Sequence, residues 1–142
     1  MDFIFRKTIF IPATLVLAAA LVFAAGLVMA AGNALTGDQE VPPVNTTAAG
    51  ISTITVGDDG AITGVVTTAG MAATMAHIHL GAPGKNGPAI LSLMQTSESE
   101  WSVPAGTRLS EDQVREFHAG NLYINVHSST YKDGEIRTQL RR

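Results

Sequence analysis

The chain contains no cysteine in its 142 residues. That excludes structural disulfides, thiolate zinc sites, blue copper, iron–sulfur ligation and cysteine nucleophiles. Positive charge is also scarce. From Ala31 onward there are seven Lys/Arg (Lys85, Arg108, Arg115, Lys132, Arg137, Arg141 and Arg142) against eleven Asp/Glu, a balance of −4 with histidines neutral. No basic patch exists to neutralise phosphates, so nucleic acid is not an expected partner. Internal repeats and long low-complexity stretches are missing as well, which argues against solenoids and disordered tails.

Long apolar runs are confined to one place. Arg6 and Lys7 precede TIFIPATLVLAAALVFAAGLVMAAG, and no charge follows until Asp38. A basic start, an apolar run and small residues at its end describe a secretory signal, with Ala31 as the new terminus after Val28-Met29-Ala30. The run is longer than a typical signal core and could span a bilayer, with Pro12 shortening the effective helix. Residues 1–31 therefore read as a signal peptide or as an N-terminal anchor helix over residues 8–30. Both place 32–142 outside the cytoplasm, because the positive residues stay inside. This segment is the only expected membrane contact. The localisation expected is periplasm, cell surface or secretion.

The remainder, residues 32–142, is one domain of ordinary size. Residues 51–56 (ISTITV) and 61–68 (AITGVVTT) are rich in β-branched residues and flank Gly57-Asp58-Asp59-Gly60, which predicts a hairpin. A short strand is expected around 34–36. In 75–80 (MAHIHL), Ala76, Ile78 and Leu80 alternate with His77 and His79. Residues 81–88 (GAPGKNGP) must form a loop. The nearly continuous apolar run 89–95 predicts a strand covered on both faces, and 96–109 an irregular stretch anchored by Trp101. Ser110 followed by Glu111, Asp112 and Gln113 is a capping-box pattern that opens one short helix over about 110–119, with Gly120 ending it. In 121–127, Leu122, Ile124 and Val126 alternate with Tyr123, Asn125 and His127. In 135–140, Ile136 and Leu140 point to the core, with Glu135, Arg137 and Gln139 away from it. The fold class expected is all-β: an antiparallel, Greek-key-like β-sandwich or barrel of about 7–8 strands with one short helix.

Chemistry concentrates on histidine. His77 and His79 are two apart and share one strand face, and His127 lies on the polar face of another strand. If those strands pair, three imidazoles converge, a donor set suited to copper or zinc with a position left for water. Tyr123, Asn125, Glu135 and Arg137 have the parity of supporting residues. The alternative is that the histidines are ordinary polar-face residues bonded to their neighbours. Met71 and Met75 are soft enough for reduced copper, but core gap-filling is the commoner use. His118 belongs to the helix's last turn, where a cation is favourable anyway. No acid is placed to make a hydrolase triad of His127 with Ser128 or Ser129. GAPGKNG lacks phosphate-loop spacing, and Asp58-Asp59-Gly60 reads as a plain turn rather than a calcium loop.

Four segments together, LTGDQEVPPV (35–44), AHIHLGAPGKNGPAI (76–90), GNLYINVHS (120–128) and DGEIRTQL (133–140), resemble the CHRD family, the domain repeated in chordin and found alone in secreted bacterial proteins. The likeness spans Leu35 to Leu140. It implies an extracytoplasmic immunoglobulin-like or dismutase-like sandwich. It also implies a non-catalytic binding or structural module with an unidentified protein, envelope or matrix partner, since chordin is a secreted antagonist of growth factors. The family's His-x-His falls on His77 and His79 and its NVH histidine on His127, which favours the metal reading, copper first and zinc second. Its Glu-Val-Pro-Pro and Gly-Glu-Ile-Arg fall on Glu40–Pro43 and Gly134–Arg137, implying a buried ion pair among Glu40, Glu135 and Arg137. The sequence departs from the usual pattern at Lys132-Asp133 and Thr138. With four histidines and no cysteine it lacks the ligands and disulfide of a copper/zinc superoxide dismutase, so no enzyme activity is expected.

Overall fold

The computed structural model describes residues 32–142. The expected signal or anchor at 1–31 lies outside them. Among the described residues no helix is long and apolar enough to cross a membrane.

The chain opens with β1 (Asn33–Thr36) and a 3-10 turn, Gly37–Gln39. The expected hairpin follows as β2 (Ala49–Ser52) against β5 (Val65–Ala69), with β3 (Thr55–Val56) against β4 (Ile62–Thr63) at its tip. Gly64, at φ +122°, lets the hairpin kink between its two parts. Next come β6 (Ala73–Leu80), β7 (Ala89–Ser92), β8 (Met94–Ser97) and β9 (Glu100–Ser102). The chain ends with α1 (Glu111–His118), β10 (Leu122–Ser128) and β11 (Ile136–Gln139).

Nine strands form one antiparallel sheet in the order β7-β6-β10-β11-β1-β2-β5-β9-β8. Its two outermost strands, β7 and β8, are separated only by Leu93. They are halves of one extended segment, so the sheet curls until its ends meet, and the Leu93 amide donates to the Ala76 carbonyl at 2.9 Å near the junction. Closure of this kind leaves little open edge for pairing with another chain.

The core follows the period-2 pattern. Leu35, Val66, Ala76, Ile78, Leu122, Ile124, Val126, Ile136 and Leu140 are buried inside the curl, joined by Trp101 and by Phe117 from α1. Each fully buried Leu or Ile contributes about 1.5–3 kcal/mol. The helix begins as its sequence predicts: Ser110 Oγ accepts from the Gln113 amide, and Gln113 Oε1 accepts from the Ser110 amide.

Three expectations need correction. The run 89–95 is two strands broken at Leu93, with only Leu93 buried and the flanking residues partly or fully exposed. A nearly continuous apolar run hid the break. The stretch 96–109 contains β9, paired to both β5 and β8; three residues around Trp101 are too few to show a period. Met71 packs against the core as expected, whereas Met75 is 45% exposed. The polar side of β10 and β11 is covered rather than open to solvent. Tyr123, Asn125, His127, Glu135 and Arg137 are all buried, because the 81–88 loop and neighbouring turns fold over that face.

Candidate metal centre

Strand β6 lies beside β10, with His79 opposite Tyr123, His77 opposite Asn125, and Met75 opposite His127. His127 therefore sits one diagonal step from His77 on the same face, within reach of a side chain. The ring centroids are 4.9 Å apart for His77–His127, 5.7 Å for His77–His79 and 6.4 Å for His79–His127. One ring nitrogen from each histidine lies within 4.8 Å of the other two. The structure thus brings together the three histidines that the sequence singled out. His118 is elsewhere, its Nε2 3.5 Å from Asp58 Oδ1.

The hydrogen bonds assign the tautomers of two rings. His79 Nδ1 lies 2.9 Å from the Gly87 carbonyl, and His127 Nδ1 lies 2.8 Å from the Lys132 carbonyl. A carbonyl can only accept, so both Nδ1 atoms carry the proton, and in the neutral ring both Nε2 atoms keep a lone pair. His127 Nε2 faces His77 Nδ1 at 3.0 Å. His79 Nε2 is buried and has no hydrogen-bond partner among the described residues. A ring N–H tied to a carbonyl, which leaves the far nitrogen's lone pair free, is how ligating histidines are held.

Electrostatics keep two of these rings in their ligating form. Burial pulls the His77 pKa below its usual value, helped by His127 and His79. Burial also lowers that of His127, opposed by the Lys132 carbonyl and the Asp133 charge.

A packed stack holds the third. The His79 ring lies parallel to Tyr123, with centroids 4.8 Å apart and 10° between planes, and the Arg137 guanidinium carbon sits 3.5 Å from the Tyr123 centroid. Arg137 is 2% exposed and donates to Asn86 Oδ1 at 3.1 Å and to the Lys85 carbonyl at 2.9 Å. Asn86 in turn donates to the Val41 carbonyl, and Gln139 donates to the carbonyls of Gly81 and Gly120. The loop is thereby pinned over the polar face. At Gly87, whose amide donates to Tyr123 Oη, a Cβ would collide with the Leu80 carbonyl, so only glycine can bring the residue-87 carbonyl to His79.

Of the supporting residues expected, Tyr123 and Arg137 brace His79 and its loop. Asn125, opposite His77, donates to the Asp133 carbonyl at 3.2 Å. Glu135 instead accepts from Thr46 Oγ1 at 2.7 Å. The expected ion pair among Glu40, Glu135 and Arg137 does not form within 4.0 Å; loop carbonyls and Tyr123 take the guanidinium. Glu40 is 5% exposed, and burial raises its pKa to about 7, with the Arg137 charge opposing. Two contributors escaped sequence reasoning: the carbonyls of Gly87 and Lys132. A backbone acceptor has no residue signature; the glycine-rich loop was the only available signal for the first.

The family model of the CHRD domain matches residues 32–140. This chain belongs to the CHRD family. Comparison with curated proteins returned no match. Comparison with solved structures also returned none. The match covers every strand of the CHRD domain described above, the three histidines, and the Gly87 and Lys132 carbonyls that orient two of them.

Proposed function

We propose that this CHRD domain acts outside the cytoplasm as a non-catalytic binder of a transition-metal ion, copper ahead of zinc, held by His77, His79 and His127. One observation carries the reading. Three imidazoles present ring nitrogens within 4.8 Å of one another, two with their other nitrogen tied to a carbonyl. Bonds of about 2.0–2.1 Å to a shared ion need nitrogens no more than roughly 4 Å apart, so the widest pair closes slightly on loading. His77 contributes Nδ1 and moves its proton to Nε2; the other two contribute Nε2. Copper is favoured because divalent copper binds nitrogen sites more tightly than zinc. The extracytoplasmic placement rests on the N-terminal sequence and agrees with the occurrence of CHRD domains in extracellular proteins.

The test is thermal unfolding of the purified chain with Cu(II) or Zn(II). A native-state ligand at a hundredfold excess over its dissociation constant adds about 2.7 kcal/mol, or roughly 10–20 °C in Tm for a domain of this size. The copper shift should exceed the zinc shift and vanish in His77→Ala/His127→Ala. A flat wild-type response, or a shift that survives the double substitution, refutes the metal reading and leaves a binding or structural module for an envelope or matrix partner.

A further inference from the structure

Among the described residues, two of the three large exposed hydrophobic residues, Met75 at 45% and Met94 at 57%, are thioethers. Met75 shares the β6 face of His77 and His79 and stands directly opposite His127 on β10, where facing Cβ atoms lie about 4.5–5.5 Å apart. On the other flank of β6, His77 pairs with Ser92 and Ile78 with Leu91. The Leu93 amide then donates to the Ala76 carbonyl, which carries the same count one residue further. Continued by another residue, the same count sets Met94 of β8, which itself pairs with Ser102 of β9, on the face of Ser92 and toward Met75. The paired row across the sheet therefore reads Met75, His127, with Met94 at its end by that count, beside the row Ser92, His77, Asn125. In a domain whose core had room for Met71, leaving two flexible apolar side chains in solvent here gains nothing in burial.

We infer that Met75, with Met94 behind it, is a soft extension of the three-imidazole site and gives it a high-affinity mode for Cu(I). Thioether sulfur is a soft donor that selects monovalent copper, whereas imidazole serves both oxidation states. The unbranched, flexible methionine chain can swing toward the imidazole it faces. Cu(II) uses the three rings; Cu(I) uses rings plus sulfur. No redox step is involved, since each ion is bound in the state in which it arrives. The inference rests on the imidazole reading above.

The test measures Cu(II) and Cu(I) affinities separately, by chelator competition, the latter in ascorbate under nitrogen. The full chain is compared with Met75→Leu, Met94→Leu and the double variant; leucine keeps volume and loses sulfur. Expected is a fall of tenfold or more in Cu(I) affinity for Met75→Leu, a smaller fall for Met94→Leu, and Cu(II) affinity within threefold of wild type in both. X-ray absorption of the Cu(I) form should show a copper–sulfur shell that Met75→Leu removes. Unchanged Cu(I) affinity in the double variant, or equal losses for both ions, overturns the inference while leaving the imidazole site intact. Failure of wild type to bind either ion overturns the imidazole reading itself, and this inference with it.

Discussion

Arg137→Ala tests whether the loop over the polar face is held by the guanidinium. The side chain is 2% exposed and makes charge-assisted bonds to Asn86 Oδ1 and the Lys85 carbonyl, each worth about 1.5–3 kcal/mol net. Its contact with Tyr123 adds roughly 0.5–2 kcal/mol. Against this stands the cost of burying the charge, which also lowers the Arg137 pKa. The balance is a loss of about 3 kcal/mol, or roughly 10–20 °C in Tm. Arg137→Met refills the volume without the charge and should lose only about half as much. Trypsin gives a local readout, because the bond after Lys85 lies in the pinned loop and becomes at least tenfold faster to cut once the guanidinium is gone. Chemical denaturation and timed proteolysis together decide the matter. A loss under 1 kcal/mol with unchanged cleavage at Lys85 would show that the loop is held by something else.

Gly134→Ala should be severe: φ is +128°, and a Cβ there would sit 2.5 Å from both Asn125 Nδ2 and Glu40 Oε1. Backbone strain and overpacking together predict about 3 kcal/mol or more by urea denaturation; a loss within 0.5 kcal/mol would contradict the packing described. Glu40→Gln should alter pH dependence more than stability at any one pH. The native carboxyl holds its proton to about pH 7, whereas the unfolded one releases it near 4.5. Wild-type stability from this group is therefore present at low pH and lost as pH rises through that window. The glutamine variant should become progressively more stable than wild type between pH 5 and 8, and parallel stability curves across that range would refute the assignment.

Much of the fold is legible because its signals are local. The Ser110–Gln113 box, the Gly57–Gly60 turn and the alternation in 121–127 each act within a few residues, and each recurs in the structure. The histidine face was legible for the same reason, since period 2 puts His77 and His79 together whatever the sheet does. Parity could not say which strand lies beside which. It also could not say what covers the polar side of the sheet. The family likeness implied a buried Arg137 and Glu135, but not their partners: Arg137 is covered by Asn86, 51 residues earlier in the chain, and Glu135 accepts from Thr46, 89 residues earlier. The break at Leu93 was hard to see because the run is mostly apolar and no glycine or proline marks it.

The polar face raises a question of physical economy. A sheet selected only for stability would fill it with threonine and valine. Here His77 and His127 resist protonation because of burial and neighbouring groups. An unfolded histidine takes up its proton near pH 6.5, so the contribution of these two is full above that value and declines as pH falls below it. The buried, unpartnered His79 Nε2 adds a cost of about 1–3 kcal/mol. A single cation among the rings would satisfy the ligand lone pairs of all three, and would compete with protons for the same nitrogens. Metal affinity should then weaken on the acid side of pH 6.5, where folding stability from these histidines also declines. One pH titration of Tm, run with and without Cu(II), therefore tests both: the two curves should converge as pH falls, and a constant gap down to pH 5 would place the copper on groups other than these imidazoles.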